Sequence, residues 1–411
     1  MSNNDVIVSL DIGTSKVRVI IGEVTNGAIN IIGVGSSESE GIRKGSIVDI
    51  DKTVQSIRNA VDHAERMVGI QISDVFVGIS GSHIALLSSH GVVAVSNEDR
   101  EIGDEDIDRV QQAARVIALP PEREIIGIVP KQFLVDGLEG IQDPRGMIGV
   151  RLEVEATIIT GTKTAIHNLK RVVEKAGLHI AGLTLMSLAC GQLTLSKDEK
   201  LIGTILVDIG AGATTISVFE DGNLAATSTL PIGGDFVTND ISIGLHTQTE
   251  HAEKMKLKYG CASMEDAAVD QVFKVPRIGS NLDKEFSQVD LASIIEPRIE
   301  EIFQLIRAEV HRLGYGSATG GYVLTGGTVN LPGILSVAKR ELDASVRMVA
   351  PEYIGVRDPS YTSGVGIINY IAKTTKVRSS GNLRKAVKTG SGASDKPGFF
   401  ERIKNFLSEL I

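Results

Sequence analysis

One pattern occurs twice and constrains the fold more than any other feature. Val6-Ile7-Val8-Ser9-Leu10 runs into Asp11-Ile12-Gly13-Thr14-Ser15-Lys16 and leaves as Val17 to Val24. Ile205-Leu206-Val207 runs into Asp208-Ile209-Gly210-Ala211-Gly212-Ala213 and leaves through the β-branched stretch Thr214 to Phe219. Each reads as strand, tight turn, strand. Gly210 and Gly212 permit positive φ and let backbone N–H groups approach an anion without a Cβ in the way. Asp208, at the mouth of its turn, suits a hydrated Mg²⁺ that neutralises phosphate. Either copy alone reads equally well as a buried strand ending in a turn. The copies lie about two hundred residues apart, too far for a solenoid repeat. Their recurrence predicts two half-molecules whose hairpins face each other across a cleft.

A third glycine turn, Leu324-Thr325-Gly326-Gly327-Thr328-Val329-Asn330-Leu331-Pro332-Gly333, follows a strand and precedes a helix. These three blocks, in this order, resemble the two phosphate loops and the adenosine loop of the actin-like ATPases, the group holding actin, sugar kinases and heat-shock chaperone ATPases. The spacing fits across nearly the whole chain. Ser80-Gly81-Ser82-His83, Ile294-Ile295-Glu296-Pro297-Arg298 and the C-terminal tail make it most similar to the bacterial division family FtsA. The resemblance implies an α/β fold, the duplicated ribonuclease H-like, two-lobed actin-like architecture with an inserted α+β subdomain. It also implies ATP and Mg²⁺ as ligands.

In that setting Asp11 and Asp208 hold Mg²⁺ through water. Gly13, Thr14, Ser15 and Lys16 take the β/γ-phosphates. Gly210, Gly212 and Thr214 cradle phosphate from the other side, with Gly234 in the same set. Gly326 and Gly327 admit the nucleotide close to backbone. By resemblance to the chaperone and MreB pattern, Glu253 and Lys256 contact the adenosine; the plainer alternative is a solvated i, i+3 ion pair. In those relatives the helix near residue 185 starts with a carboxylate that orients water. Here the stretch is Leu183-Thr184-Leu185-Met186-Ser187. Without a positioned base, hydrolysis is expected to be slow at most, and no catalytic residue is assigned.

Composition narrows the class. At 411 residues, two lobes are the natural expectation. A formal charge of −9 argues against a nucleic-acid partner. Cys190 and Cys261 show neither metal spacing nor a disulfide framework, which suits a reducing cytoplasm. The first residues have no signal-peptide pattern. No apolar run reaches the roughly 18 residues of a spanning helix.

The expected layout is a first-lobe core of 1–82, 159–200 and 357–375, an inserted subdomain of 83–158, a second-lobe core of 201–233 and 300–356, and an outer subdomain of 234–299. Asp51 is expected to cap a helix that Gly69 ends. The insertion should hold short strands Ile84–Leu87 and Val92–Val95, then a helix Asp104–Ala118 stopped by Pro120-Pro121. Resemblance implies that this insertion contacts neighbouring subunits and other division proteins; otherwise it only shields an edge. Ser293 to Arg312 has a helical apolar stripe, mostly core packing. Resemblance puts the C-terminal peptide of the filament protein FtsZ near this helix, with Arg298 receiving it.

Residues 376–397 read as a flexible linker. In residues 398–411, Phe399, Phe400, Ile403, Phe406, Leu407, Leu410 and Ile411 share one helix face. From Arg378 onward seven Lys/Arg oppose three Asp/Glu, so a basic tail of about +4 hangs from an acidic body. That suits a helix lying on an anionic membrane. Each buried apolar side chain adds about 1.5–3 kcal/mol before ordering costs. Docking on the protein's own body or in a partner groove is the alternative. With the tail read this way, the resemblance to FtsA implies the favoured function: a nucleotide-dependent filament on the cytoplasmic face of the membrane at the division site, tethering FtsZ, with avidity from many weak tails. A small-molecule kinase and a PilM-like pilus-assembly relative are the alternatives. The kinase lacks an evident acceptor base.

Overall fold

The apolar strand Val6–Leu10 lies in the middle of a sheet, with Ile7 and Leu10 fully buried on opposite faces. The structure, a computed structural model, describes residues 5–279, 283–316 and 319–386. In the first lobe, β1 (Asp5–Ile12), β2 (Lys16–Thr25) and β3 (Ala28–Glu38) form a meander. A small hairpin, β4 (Ile42–Arg43) and β5 (Ser46–Ile47), leads to α1 (Ile50–Val68) and β6 (Asp74–Ile79). The insertion follows as β7 (Ala85–Ala94), α2 (Asp104–Ala114), β8 (Arg123–Val135), β9 (Leu138–Ile141) and β10 (Arg151–Thr162). The lobe resumes with α3 (Lys163–Lys175), β11 (His179–Leu185), α4 (Met186–Thr194) and α5 (Lys197–Ile202).

The second lobe opens with β12 (Thr204–Ile209), β13 (Thr214–Glu220) and β14 (Asn223–Leu230). Then come α6 (Gly234–Leu245), α7 (Thr249–Tyr259), β15 (Val272–Val275), β16 (Lys284–Ser287) and α8 (Gln288–Arg312). It closes with β17 (Tyr322–Thr325), α9 (Ile334–Leu342) and β18 (Val346–Met348), and α10 (Thr362–Ala386) returns to the first lobe.

The duplication holds at the level of topology. The first sheet runs β11-β6-β1-β2-β3 and the second β18-β17-β12-β13-β14. In each, the central strand pairs antiparallel with the next strand and parallel with a later one. Parallel partners need crossovers, and here these are helices that bury both sheet faces. One face of the first sheet packs on Val54, Ile57, Val61 and Val172, the other on Ile367, Ile368 and Ala189. The second lobe's core gathers Ile205, Val207 and Ile216 with Ile241, Ile295, Phe303 and Val337. The inserted sheet, β7-β10-β8-β9, covers α2 through Ile107, Val110, Val154 and Phe133. A further apolar cluster joins all three parts, with Ile159, Leu185 and Cys190 against Leu206, Phe219 and Val323.

Several expectations are corrected. Asp49, not Asp51, caps α1 by accepting the Lys52 N–H at 3.1 Å. Ile84–Leu87 and Val92–Val95 are not separate strands but parts of β7. Gly91 passes through without breaking it, because α2 presses so close that a Cβ there would strike the helix backbone at Val110. The α2 helix ends at Ala114, before the proline pair. α8 begins earlier than Ser293, because Ser287 and Asp290 form a capping box, and it carries Pro297 inside. Of the expected layout, the divisions at 158/159, 200/201 and 299/300 lie inside β10, α5 and α8. Finally, α10 continues through Ala386 into the segment read as linker. No proline interrupts it there, and each added residue of a helix already formed gains a backbone hydrogen bond without a new nucleus. The membrane-facing residues Phe399, Phe400, Ile403, Phe406, Leu407 and Leu410 lie outside the described residues.

Candidate functional site

Both central strands end at the same place, because each sheet turns the C-terminal ends of its parallel strands towards the gap between lobes. A cavity of about 640 Å³ lies there, a size typical of small-ligand sites. Its walls carry Asp11, Gly13, Thr14, Ser15 and Lys16 from the first hairpin and Asp208, Gly210 and Gly212 from the second. Gly234, Glu253, Lys256, Gly326 and Gly327 complete the sequence-predicted set that lines it.

The two carboxylates dominate its electrostatics. Burial pushes Asp11 up from 3.8 to about 6; the nearby Arg18 charge opposes that shift and the Asp208 charge adds to it. Burial raises Asp208 as well, while a hydrogen bond from Ser363 Oγ at 3.0 Å and the Arg18 charge pull it down. A pair of buried acids that burial disfavours as anions suits a hard divalent cation bound through water. The donor set therefore fits Mg²⁺.

At the hairpin tip, steric room is what these glycines supply. Neither Gly210 nor Gly212 takes positive φ. They are small because neighbours leave no room: a Cβ at Gly212 would lie 2.6 Å from Thr14 Cγ2, and one at Gly210 would lie 3.0 Å from the Ala213 carbonyl. The hairpin tips of the two lobes thus touch at Gly212 and Thr14. Gly326 does need its left-handed backbone, at φ 97°, and a Cβ there would strike Asp208 Oδ1.

Thr214 is corrected. It is fully buried and donates to the Ile232 carbonyl at 2.8 Å, turned away from the cavity. Strand alternation sends its neighbour Thr215 to the cavity wall instead. Lys16 Nζ is held by Glu38 at 2.7 Å, on an exposed rim. Glu253 and Lys256 form an ion pair at 2.7 Å, its carboxylate partly exposed and its lysine buried. Lys256 is 8 % exposed, and its ammonium donates to the Gly234 carbonyl at 3.1 Å and Thr238 Oγ1 at 2.7 Å. It ties α7 to the start of α6 at the cavity edge. Arg298 is not a free cation. It is clasped by Asp240 at 2.5 and 3.1 Å and paired with Glu301, which raises its pKa.

Sequence reasoning missed Arg18. It stands two residues beyond Lys16 on β2, on the same strand face, and lies 5.2 Å from the Tyr361 ring. Its Nε is buried with no hydrogen-bond partner among the described residues. The i, i+2 spacing from Lys16 was the available signal. Ser363, from the start of α10, and Asn330, which donates to Asp358 at 3.1 Å, were also missed, since only the folded chain brings them to the cleft.

Comparison with known proteins bears on this geometry. The family model for cell division protein FtsA matches residues 205–366, and that for the SHS2 domain inserted in FtsA matches residues 81–160. Cell division protein FtsA of Bacillus subtilis is 50% identical over 92% of this chain and 86% of its own length. Its counterpart in Pseudomonas aeruginosa is 39% identical over 99% and 98%. Among solved structures, a PilM-PilN type IV pilus biogenesis complex aligns with TM-score 0.61 at 17% identity, over 89% of this chain and 98% of its own. MreB5 of Spiroplasma citri bound to ADP aligns with TM-score 0.54 at 12% identity, over 91% and 98%. The fold is that of the actin-like ATPases.

Proposed function

Because this chain belongs to the FtsA family of cell-division proteins, we propose that it binds Mg-ATP between its lobes, polymerises, and tethers FtsZ filaments to the inner face of the cytoplasmic membrane. The observation that carries the nucleotide part is the pair of buried carboxylates, Asp11 and Asp208, set between two hairpins that touch at their tips. Bound Mg²⁺ would neutralise phosphate charge there. Thr14, Ser15, Lys16 and the half-buried Arg18 supply donors on one side, and the Gly210–Gly212 backbone supplies N–H groups on the other. MreB5 of Spiroplasma citri has been solved with ADP and with AMPPNP, which supports a nucleotide in this fold's cleft. The kinase and PilM-like alternatives lose ground to the family match over nearly the full chain.

With nucleotide clasped, the lobes close and favour a filament, in which the insertion meets its neighbours and other division proteins. The membrane part rests on the tail: an acidic body, a basic segment and one apolar face from Phe399 to Ile411. For the FtsZ peptide, Arg298 serves by exchanging its Glu301 partner for a peptide carboxylate while Asp240 keeps it in place. Sedimentation with anionic liposomes, with and without Mg-ATP, tests the whole reading. The full chain should pellet, more so with Mg-ATP, and a chain ending before Gly398 should stay in solution. Equal pelleting of both chains refutes the anchor, and indifference to Mg-ATP refutes the nucleotide link.

A further inference from the structure

The start of α4 carries no acid, only Leu185, Met186 and Ser187. What stands beside it is set by strand order. β6 lies between β1 and β11, with Leu10 opposite Val77 and Leu185 opposite Ile79. The turn that follows β6, Ser80-Gly81-Ser82-His83, therefore opens between the Asp11 hairpin and the start of α4. Ser80 and His83 line the cavity, and so do Thr164 and Asn168 of α3.

The turn that carries His83 is held in place. Arg123 Nη2 donates to the His83 carbonyl at 3.0 Å and to the Thr160 carbonyl at 3.1 Å, fixing the turn to β10. Two glycines make room for the imidazole. A Cβ at Gly81, whose φ is 131°, would lie 2.8 Å from His83 Nδ1, and one at Gly161 would lie 3.4 Å from Cδ2. Its Nε2 is buried with no hydrogen-bond partner among the described residues. An orphaned buried ring nitrogen in a cavity wall asks for a reason, and a catalytic role is one of few. Burial and, after it, the Arg123 charge hold His83 below its ordinary pKa, which keeps the ring unprotonated at pH 7.

We propose that His83 is the base of a slow ATP hydrolysis, taking the proton of the attacking water in place of the carboxylate that the α4 start lacks. The inference rests on the nucleotide reading above. The water oxygen bonds to the γ-phosphorus, and the bond from that phosphorus to the β,γ-bridging oxygen breaks. Its electron pair leaves with ADP. The water proton passes to a His83 ring nitrogen and then to the departing phosphate or solvent.

The test compares the full chain with His83→Ala and His83→Gln. It measures mant-ATP binding, single-turnover phosphate release, and the histidine ring nitrogen resonances of the wild type with AMPPNP and with ADP. Both variants should bind mant-ATP within about twofold of wild type and release phosphate about 100-fold more slowly, the low end for a general base. The His83 ring signals should differ between AMPPNP and ADP. Release at the wild-type rate in either variant overturns the inference. So does a wild type that binds without hydrolysing, or a ring that does not distinguish the two nucleotides. A wild type that binds no mant-ATP overturns the nucleotide reading together with this one.

Discussion

The two hairpins share a strand plan and divide the chemistry between them. The first presents side chains: an acid, two hydroxyls and a lysine, with Arg18 on the adjoining strand. The second presents mostly backbone, its tip being Gly210-Ala211-Gly212. The acids differ as well. Asp208 is steadied by Ser363 from across the cleft, whereas Asp11 has no hydrogen bond of that kind among the causes of its shift and rises to about 6. The lesson is that a duplicated backbone need not repeat its contacts. One copy can specialise in reach and the other in close approach.

The contrast can be broken at Asp11 with the largest effect. Its carboxyl binds a proton more readily folded than unfolded, so it stabilises the ligand-free protein below about pH 4 and loses that contribution as pH rises through about 6. The full swing is about 3 kcal/mol. Urea unfolding at pH 4.5 and 7.5 should show wild type losing stability over this range relative to Asp11→Asn, which stays flat at that site. Next in size is Gly212→Leu, which drives a side chain into Thr14 across the cleft. Overpacking of about 2–3 kcal/mol should weaken mant-ATP binding by roughly 100-fold while leaving the far-ultraviolet circular dichroism unchanged.

Ser363→Ala removes the hydrogen bond that steadies Asp208. A bond to a charged group is worth about 1.5 kcal/mol or more, so Mg²⁺-dependent affinity should fall roughly tenfold in calorimetry. The smallest effect is expected at Lys16. Its ammonium sits on an exposed rim with Glu38, and such pairs contribute about 0–1 kcal/mol. Glu38→Gln should therefore leave stability unchanged and raise nucleotide affinity slightly by freeing Lys16. A decrease would show that Glu38 positions the lysine rather than competing for it.

Much of this was legible in the sequence because it is local. Apolar strands ending in Asp-Ile-Gly fix both hairpins, and the glycine block at 324–333 fixes the third wall. What escaped was set by neighbours distant in the chain. Whether Gly212 serves backbone angle or steric room depends on Thr14, roughly two hundred residues earlier, and no local pattern states it. Thr214 and Thr215 differ only in which face of β13 is buried, a matter of register with β12 and β14. Arg298 looked like a free cation on a helix, but Asp240 and Glu301 already hold it. Arg18 was within reach of strand periodicity and was overlooked beside the more obvious Lys16.

The apolar cluster in which Ile159, Leu185 and Phe219 meet has a mechanical consequence. It lies where the insertion's root, the floor of one lobe and the sheet of the other converge. A change in the angle between the lobes must either shear that contact, which exposes greasy surface to water, or swing the insertion along with it. A partner gripping the outer edge of that appendage would then feel the cleft through packed side chains, without any loop needing to carry the message.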